Sequence, residues 1–278
     1  EMVARLEQID SVRFRPGTGT RSVLTRDSEA LVTLTDGTQV AARLLIGADG
    51  RNSRVREALE IPVRTTRYGQ KALAFAVTHP IPHANVSTEI HRSGGPFTLV
   101  PLPDRDGLPC SAVVWMERGP EALRLAALPE AEFEAAMSER SCHLFGPLTL
   151  ASRRSVWPIS SQIAQRMTGE RTALMAEAAH VVPPIGAQGL NMSLADIQCL
   201  LELFDGAPDI GAQALLDRYH RTRWPDIKSR VTGVDLLNRA PMAESPGLPA
   251  VRLKGLHSLH GIKPPATAAV RAGPRDPY

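Results

Sequence analysis

The sequence predicts a mixed α/β fold, α+β in its detail, on three observations. Twice an apolar run ends in an acid flanked by small residues and leads into a helix, at residues 44–56 and 172–191. Between them, residues 64–115 read as successive short β segments. Two long helical stretches follow, at residues 190–204 and 212–238. Strand–acid–helix units belong to open α/β sheets, which place ligands at the carboxyl ends of their strands. The domain organisation expected from this pattern is discontinuous. Residues 1–62 and 150–205 form one domain, residues 63–149 an inserted β-sheet domain, and residues 206–278 a C-terminal helical region.

The segments follow in chain order. Residues 2–9 read as the end of a helix. Val12 and Phe14 open a β segment that Ser22 to Thr25 continue. Residues 31–35 and 38–46 alternate around Asp36-Gly37, a strong hairpin signal. The second arm ends in Leu44-Leu45-Ile46, a run expected to be buried on both faces. Ser53 is a candidate N-cap for a short helix from Arg54 to Leu59, stopped by Ile61-Pro62. Residues 71–78, 86–91, 97–100 and 111–116 are expected strands, with turns at Pro80-Ile81-Pro82 and Pro101-Leu102-Pro103. Residues 121–142 read as helical, interrupted at Pro129. Residues 155–159 and 172–176 are short strands. In residues 190–204, Leu190, Leu194, Ile197, Leu200, Leu201 and Phe204 share one broad helical face. The last long helix is expected to kink at Trp224-Pro225. Residues 251–260 are expected to form a loose helix, and the chain to fray from Gly273-Pro274.

Composition narrows the function. Of the 278 residues, 43% are hydrophobic and 22% charged, a globular balance. Thirty-two Lys and Arg against 29 Asp and Glu leave a net charge of +3, too small for a dedicated nucleic-acid binder. No stretch reaches the roughly 18–20 apolar residues that span a bilayer. The first residues lack the pattern of a secretory signal. Cys110, Cys142 and Cys199 are far apart and odd in number, which argues for reduced, buried small side chains and a cytoplasmic setting. His257 and His260 have helical spacing but no third ligand, so no metal site is expected. Arg218, Arg221 and Arg223 read as a solvated basic face.

The chemistry concentrates in the two acid-bearing turns. Gly47-Ala48-Asp49-Gly50 leaves a strand and enters a helix; its glycines allow close backbone approach, and the free N–H groups favour a phosphate. Ala176-Glu177-Ala178-Ala179-His180 leads through Pro183-Pro184-Ile185-Gly186-Ala187-Gln188-Gly189 into the helix at Leu190 and Asn191. The positive end of that helix suits an electron-rich carbonyl or an anionic ring. His180 alone reads as a structural histidine.

Together the two turns resemble the flavin-dependent aromatic hydroxylases of the para-hydroxybenzoate hydroxylase class, most closely the branch that serves ubiquinone biosynthesis. Glu89-Ile90-His91, Gly95-Pro96 and Val113-Val114-Trp115 resemble that family's substrate sheet. The likeness runs over about residues 1–240. It implies an FAD-binding domain of Rossmann-like form and an FAD cofactor, with NAD(P)H as co-substrate. It implies hydroxylation by O2 of a small aromatic substrate, such as a phenolic quinone precursor. The same hydrophobic precursors imply contact with the inner-membrane periphery or with a biosynthetic assembly. Cofactor contacts are implied for Asp49, Gly50 and Arg56 near the pyrophosphate, for Glu177 at the ribose, and for Pro184, Gly186, Ala187, Gln188, Gly189, Leu190 and Asn191 along the flavin ring. The substrate is expected between the β sheet and this loop; no side chain stands out as a general base.

The departures from the family are specific. The family has Gly-Asp where this chain has Ala176-Glu177, and Gly-Gln-Gly where it has Ala187-Gln188-Gly189. The family opens with a strand, a Gly-x-Gly-x-x-Gly turn and a helix. Residues 15–22 imitate that turn, but β-like sequence follows. The expected cofactor domain is therefore incomplete, and the competing expectation is a non-catalytic remnant or assembly subunit that cannot hold FAD alone. Either reading requires Asp49 and Glu177 to open onto one cleft.

Overall fold

The structure is a computed structural model that describes residues 1–92, 94–186 and 188–239. The readings for residues 251–260, for His257 and His260, and for the chain end lie outside the described residues, as does Ala187.

The N-terminal part contains helix α1 (Met2–Leu6) and strands β1 (Thr20–Thr25), β2 (Ala30–Leu34) and β3 (Gln39–Ala42), which form a three-stranded antiparallel sheet. Asp36 closes the β2–β3 hairpin by accepting the Thr38 N–H at 2.9 Å. Val12 and Phe14 lie in no strand, because Pro16 and Gly17 separate them from β1. Residues 15–22 run into β1, not a helix.

Strand β4 (Leu45–Gly47) and helix α2 (Arg54–Ala58) follow. The expected long second hairpin arm is two strands, for Arg43 ends β3 and β4 joins a different sheet. There β4 is an edge strand with Ile46 41% exposed, so the expectation of burial on both faces fails.

Next come β5 (Val63–Thr78), β6 (Thr88–Arg92), β7 (Gly95–Arg105) and β8 (Leu108–Arg118), then helices α3 (Gly119–Ala127) and α4 (Glu130–Arg140) on either side of Pro129. Strands β9 (Thr149–Leu150) and β10 (Ser155–Ala164) come next. The chain then forms β11 (Thr168–Gly169), β12 (Thr172–Leu174), a 3-10 turn (Ala176–Ala178), β13 (His180–Val181), α5 (Gln188–Phe204) and α6 (Gln213–Arg239).

The large sheet has the order β13-β10-β5-β8-β7-β6, with β9 beside β5. Strand β7 passes through Pro101 and Pro103, where a turn was expected. Strand β6 covers it only as far as Leu99, so these prolines lie on an edge that needs no donor. One face of the sheet packs Leu73, Phe75, Phe97, Val113 and Trp115 against α3 and α4, with Phe133 and Met137 filling the gap. On the other face Ala72, Met116 and Ile159 receive Ile185 and Val234 from the loop before α5 and from α6.

A second core joins β12, α5 and α6 through Leu174, Met192, Leu200, Leu216 and Tyr219. Helix α6 continues through Pro225. Helix α5 is rotated away from its expected orientation. Met192, Asp196, Cys199 and Leu200 face inward, whereas Leu190, Leu194, Ile197 and Leu201 are 71, 52, 41 and 59% exposed. Nothing among the described residues covers that stripe. Two further readings change. Arg223 is buried, not part of a solvated face, and Cys142 is exposed.

Glu117 sits on the helix-covered face, where the Trp115 Nε1–H points at its carboxylate at 3.4 Å. Burial raises its carboxyl above the usual carboxylate value, against the pull of that bond and of Arg140. The folded state therefore binds this proton more tightly than the unfolded state does. Ionised Glu117 destabilises the fold, and the penalty sets in as pH rises above roughly 4.3, the ordinary glutamate value. Glu117→Gln should melt above the wild type at neutral pH and alongside it in acid. Equal melting temperatures at neutral pH would contradict this assignment.

Candidate functional site

The parallel pairing of β4 with β12 brings the two acid-bearing turns together. Leu45 faces Thr172, Ile46 faces Ala173 and Gly47 faces Leu174. The register continues beyond the strands, since the Met175 N–H donates to the Gly47 carbonyl at 3.0 Å. Gly47 is required here for packing. A Cβ would come within 2.8 Å of Leu174 and 2.9 Å of Val55.

Asp49 is used mostly to build its own turn. It accepts the Ser53 hydroxyl and, through its other oxygen, the Val55 N–H at 3.1 Å. Ser53 caps α2 as expected, accepting the Arg56 N–H at 3.0 Å. Gly50 adopts φ +84 with open space around it, a conformation that glycine takes without strain. Arg56 is buried and turned inward. Its guanidinium donates to the Ala178 carbonyl at 2.7 Å and the Arg51 carbonyl at 2.9 Å, tying one turn to the other. Burial lowers its pKa, partly offset by Asp49 and Glu57.

Glu177 points to solvent on the same side. Arg51 reaches it at 3.4 Å through Nε and at 3.5 Å through a terminal nitrogen. The two sequence-distant turns thus share one edge, with an exposed carboxylate and an exposed guanidinium side by side. Pro184 and Gly186 are exposed; Ile185 between them is buried and anchors the loop on the large sheet. Gln188 donates to the Gly186 carbonyl at 3.1 Å. Gly189 has open space where a side chain would stand, and Leu190 and Asn191 are exposed on the same first turn of α5.

Behind this edge lies a buried ionic cluster that the motif reading missed. Asp196 is wholly buried and accepts three bonds: His180 Nε2 at 2.7 Å, Arg223 Nε at 2.8 Å and the Ala176 N–H at 3.1 Å. Arg223 also binds Asp226 at 2.7 Å, and Arg230 links Asp226 (2.9 Å) to the Gln188 side chain (3.1 Å). Burial pushes the Asp226 pKa up, but its bonds to Arg223 and Arg230 outweigh that and hold it low. Tyr219 closes the base by donating to the Leu174 carbonyl at 3.0 Å. One sequence signal pointed here: Asp196 is an acid set among the apolar residues of α5.

Ala176 has φ +52, the left-handed region that disfavours any residue with a Cβ. The backbone takes that shape because its N–H is drawn to Asp196.

A family model described as an FAD binding domain matches residues 2–233. The chain is 35% identical over 273 residues to ubiquinone hydroxylase UbiL of Rhodospirillum rubrum, covering 92% of this chain and 62% of that protein. It is 28% identical over 272 residues to the ubiquinone biosynthesis monooxygenase COQ6 of Rattus norvegicus, covering 84% and 56%. Among solved structures, PqsL of Pseudomonas aeruginosa, described as a probable FAD-dependent monooxygenase, superposes with a TM-score of 0.72. Identity there is 20%, over 92% of this chain and 71% of that one. The p-nitrophenol 4-monooxygenase PnpA of Pseudomonas putida gives a TM-score of 0.70 at 20% identity, over 94% and 66%. The chain spans 62% and 56% of the length of the two curated relatives.

Two stability measurements test the cluster. Asp196→Ala strands Arg223 in the interior and should cost about 3–5 kcal/mol in urea unfolding; a loss under about 1 kcal/mol would show that the cluster holds nothing. Ala176→Gly should stabilise by about 1 kcal/mol, because it relieves the left-handed strain; a loss of stability would refute that strain.

Proposed function

The chain belongs to the FAD binding domain family, matched over residues 2–233, and on that premise we propose that its two joined turns hold part of an FAD molecule in a monooxygenase of aromatic rings. The observation that carries this reading is the shared edge made by β4 and β12, where Arg51 meets Glu177 at 3.4 Å.

The residues present fit the cofactor in distinct ways. Glu177 offers an exposed carboxylate to the ribose hydroxyls, as the aspartate of the family's motif would, with one methylene more. Arg51 stands beside it to face the pyrophosphate. Asp49, Gly50 and Arg56 shape the turn on that side and act on the cofactor through backbone position, since both Asp49 oxygens and the Arg56 guanidinium already have partners. Pro184, Gly186, Gln188, Gly189, Leu190 and Asn191 flank the flavin ring, where the open first turn of α5 directs N–H groups outward. Ala187 belongs to the same proposed stretch. Bound FAD, reduced by NAD(P)H, supplies the oxygen chemistry.

The protein's own part is to bind and orient the ring. Ile185 sets the loop against the face of the large sheet that bears Ala72 and Met116. In this reading the substrate lies on the sheet face beside the loop. The relatives named for ubiquinone synthesis suggest a phenolic quinone precursor. Contact with a membrane surface or a biosynthetic assembly belongs to the same proposal. No helix among the described residues is long and apolar enough to cross a membrane.

Titration of FAD into the purified chain, followed by flavin fluorescence, tests the reading. Saturable binding is expected, weakened about tenfold in Glu177→Ala through loss of a charge-assisted bond. A chain that stays colourless with added FAD contradicts it and favours the remnant.

A further inference from the structure

The open face of the large sheet carries a polar pair that the cofactor reading leaves unused. In an antiparallel sheet, directly opposed residues share a face. Glu89 opposes Thr98, Thr98 opposes Val114, and Val114 opposes Ala74. These four therefore stand in one row. His91, two residues beyond Glu89 and opposite Pro96, lies on the same face, one row nearer Met116 and Ala72. Those two residues sit under Ile185 of the loop proposed to flank the flavin. The pair is therefore at the far side of a shelf whose near side is that loop. Two strand spacings, about 10 Å, separate β6 from β8. An aromatic ring with its substituents fills that width.

The chemistry of the shelf is unequal across it. Its floor is small and apolar: Ala74, Ala76 and Ala112 are half-buried, and among the described residues no helix lies on them as α3 and α4 lie on the opposite face. At its edge, His91 Nε2 meets Glu89 Oε1 at 2.7 Å. A carboxylate beside Nε2 favours the tautomer protonated there, with Nδ1 left as an acceptor. No bond to Nδ1 is formed by any described residue. Between the pair and the floor, Thr98 Oγ1 is buried without a partner. An orphaned hydroxyl is costly unless something else satisfies it. The other charges at this corner, Arg92, Glu117 and Arg140, belong to the helix-covered face, where Arg140 donates to the Ile90 carbonyl at 3.3 Å. On the open face, Arg118 lies one row past Met116, opposite Gln70.

We propose that the Glu89–His91 pair binds the hydroxyl of a phenolic substrate and takes its proton. The inference rests on the monooxygenase reading, for which it supplies the missing base. The phenol O–H bond breaks, and the proton passes to His91 Nδ1. The electron pair stays on the phenol oxygen and enriches the ring for attack by an electrophilic oxygen. Glu89 holds the imidazole in place and faces the cation that forms. His91 is then a catalytic residue, and Glu89 is a positioning residue.

The probe is 4-nitrophenol, whose ionised form absorbs visible light. It is added to the full chain without FAD and followed across pH. The bound probe should show about a tenfold larger ionised fraction than the free probe at the same acidic pH. His91→Gln should still bind it but lose that excess, and Glu89→Gln should reduce it. Both side chains are on an edge strand, and unchanged circular dichroism would confirm that the variants fold. Identical titration of the bound probe in the wild type and His91→Gln overturns the proposal, as does failure of the wild type to bind the probe saturably. Neither result touches the FAD titration, so failure of this inference and failure of the flavin reading are separable.

Discussion

The buried carboxylate of Asp196 is the constraint around which the two acid-bearing turns and α5 are arranged. It takes hydrogen bonds from the turn after β12, from β13 and from α6, so four pieces of chain meet at one side chain. A charge this deep is tolerable only when it is paired and hydrogen-bonded. That requirement fixes the roll of α5. The helix turns Asp196 inward and thereby leaves Leu190, Leu194, Ile197 and Leu201 outward, against the usual burial of an apolar stripe. It also forces Ala176 into a left-handed backbone. A glycine at this position, as in the family's motif, would take that conformation freely.

The ionic cluster works with the β4–β12 pairing. The pairing aligns two strand ends, and Arg56 then spans the gap by binding carbonyls of both turns. What is exposed at this edge is Glu177, its partner Arg51 and much of the loop into α5. Arg230 holds Gln188, so the same network that fixes the acid turn also steadies that loop. Buried, bonded members and exposed members thus belong to one motif, which its spelling alone does not separate.

Much of the fold was legible from local signals. The Asp36-Gly37 hairpin, the Ser53 cap, the break at Pro129 and the run of strands after Val63 all follow from residue chemistry within a few positions. The meeting of the two turns was legible only through resemblance. What failed depended on partners distant in sequence. Leu44-Leu45-Ile46 looks doubly buried, yet whether a strand is central or at an edge is decided by its neighbours. Pro101 and Pro103 look like a turn, yet the part of β7 that β6 leaves uncovered accepts them. The stripe on α5 looks like the buried face, yet a single acid outranked it. Arg223 looks solvated beside Arg221, yet it is the partner of Asp196 from another helix. At the site, the hydrogen bonds of Asp49 to Ser53 and Val55 were not legible in its spelling.

Amide hydrogen exchange of the chain with and without FAD addresses the shared edge most directly. One dinucleotide lying across both turns would slow exchange in residues 50–56 and in residues 176–191 together, at the same cofactor concentration. Slowing confined to one of the two segments, or slowing in neither, would mean that the turns meet for the sake of the fold and not for a common ligand.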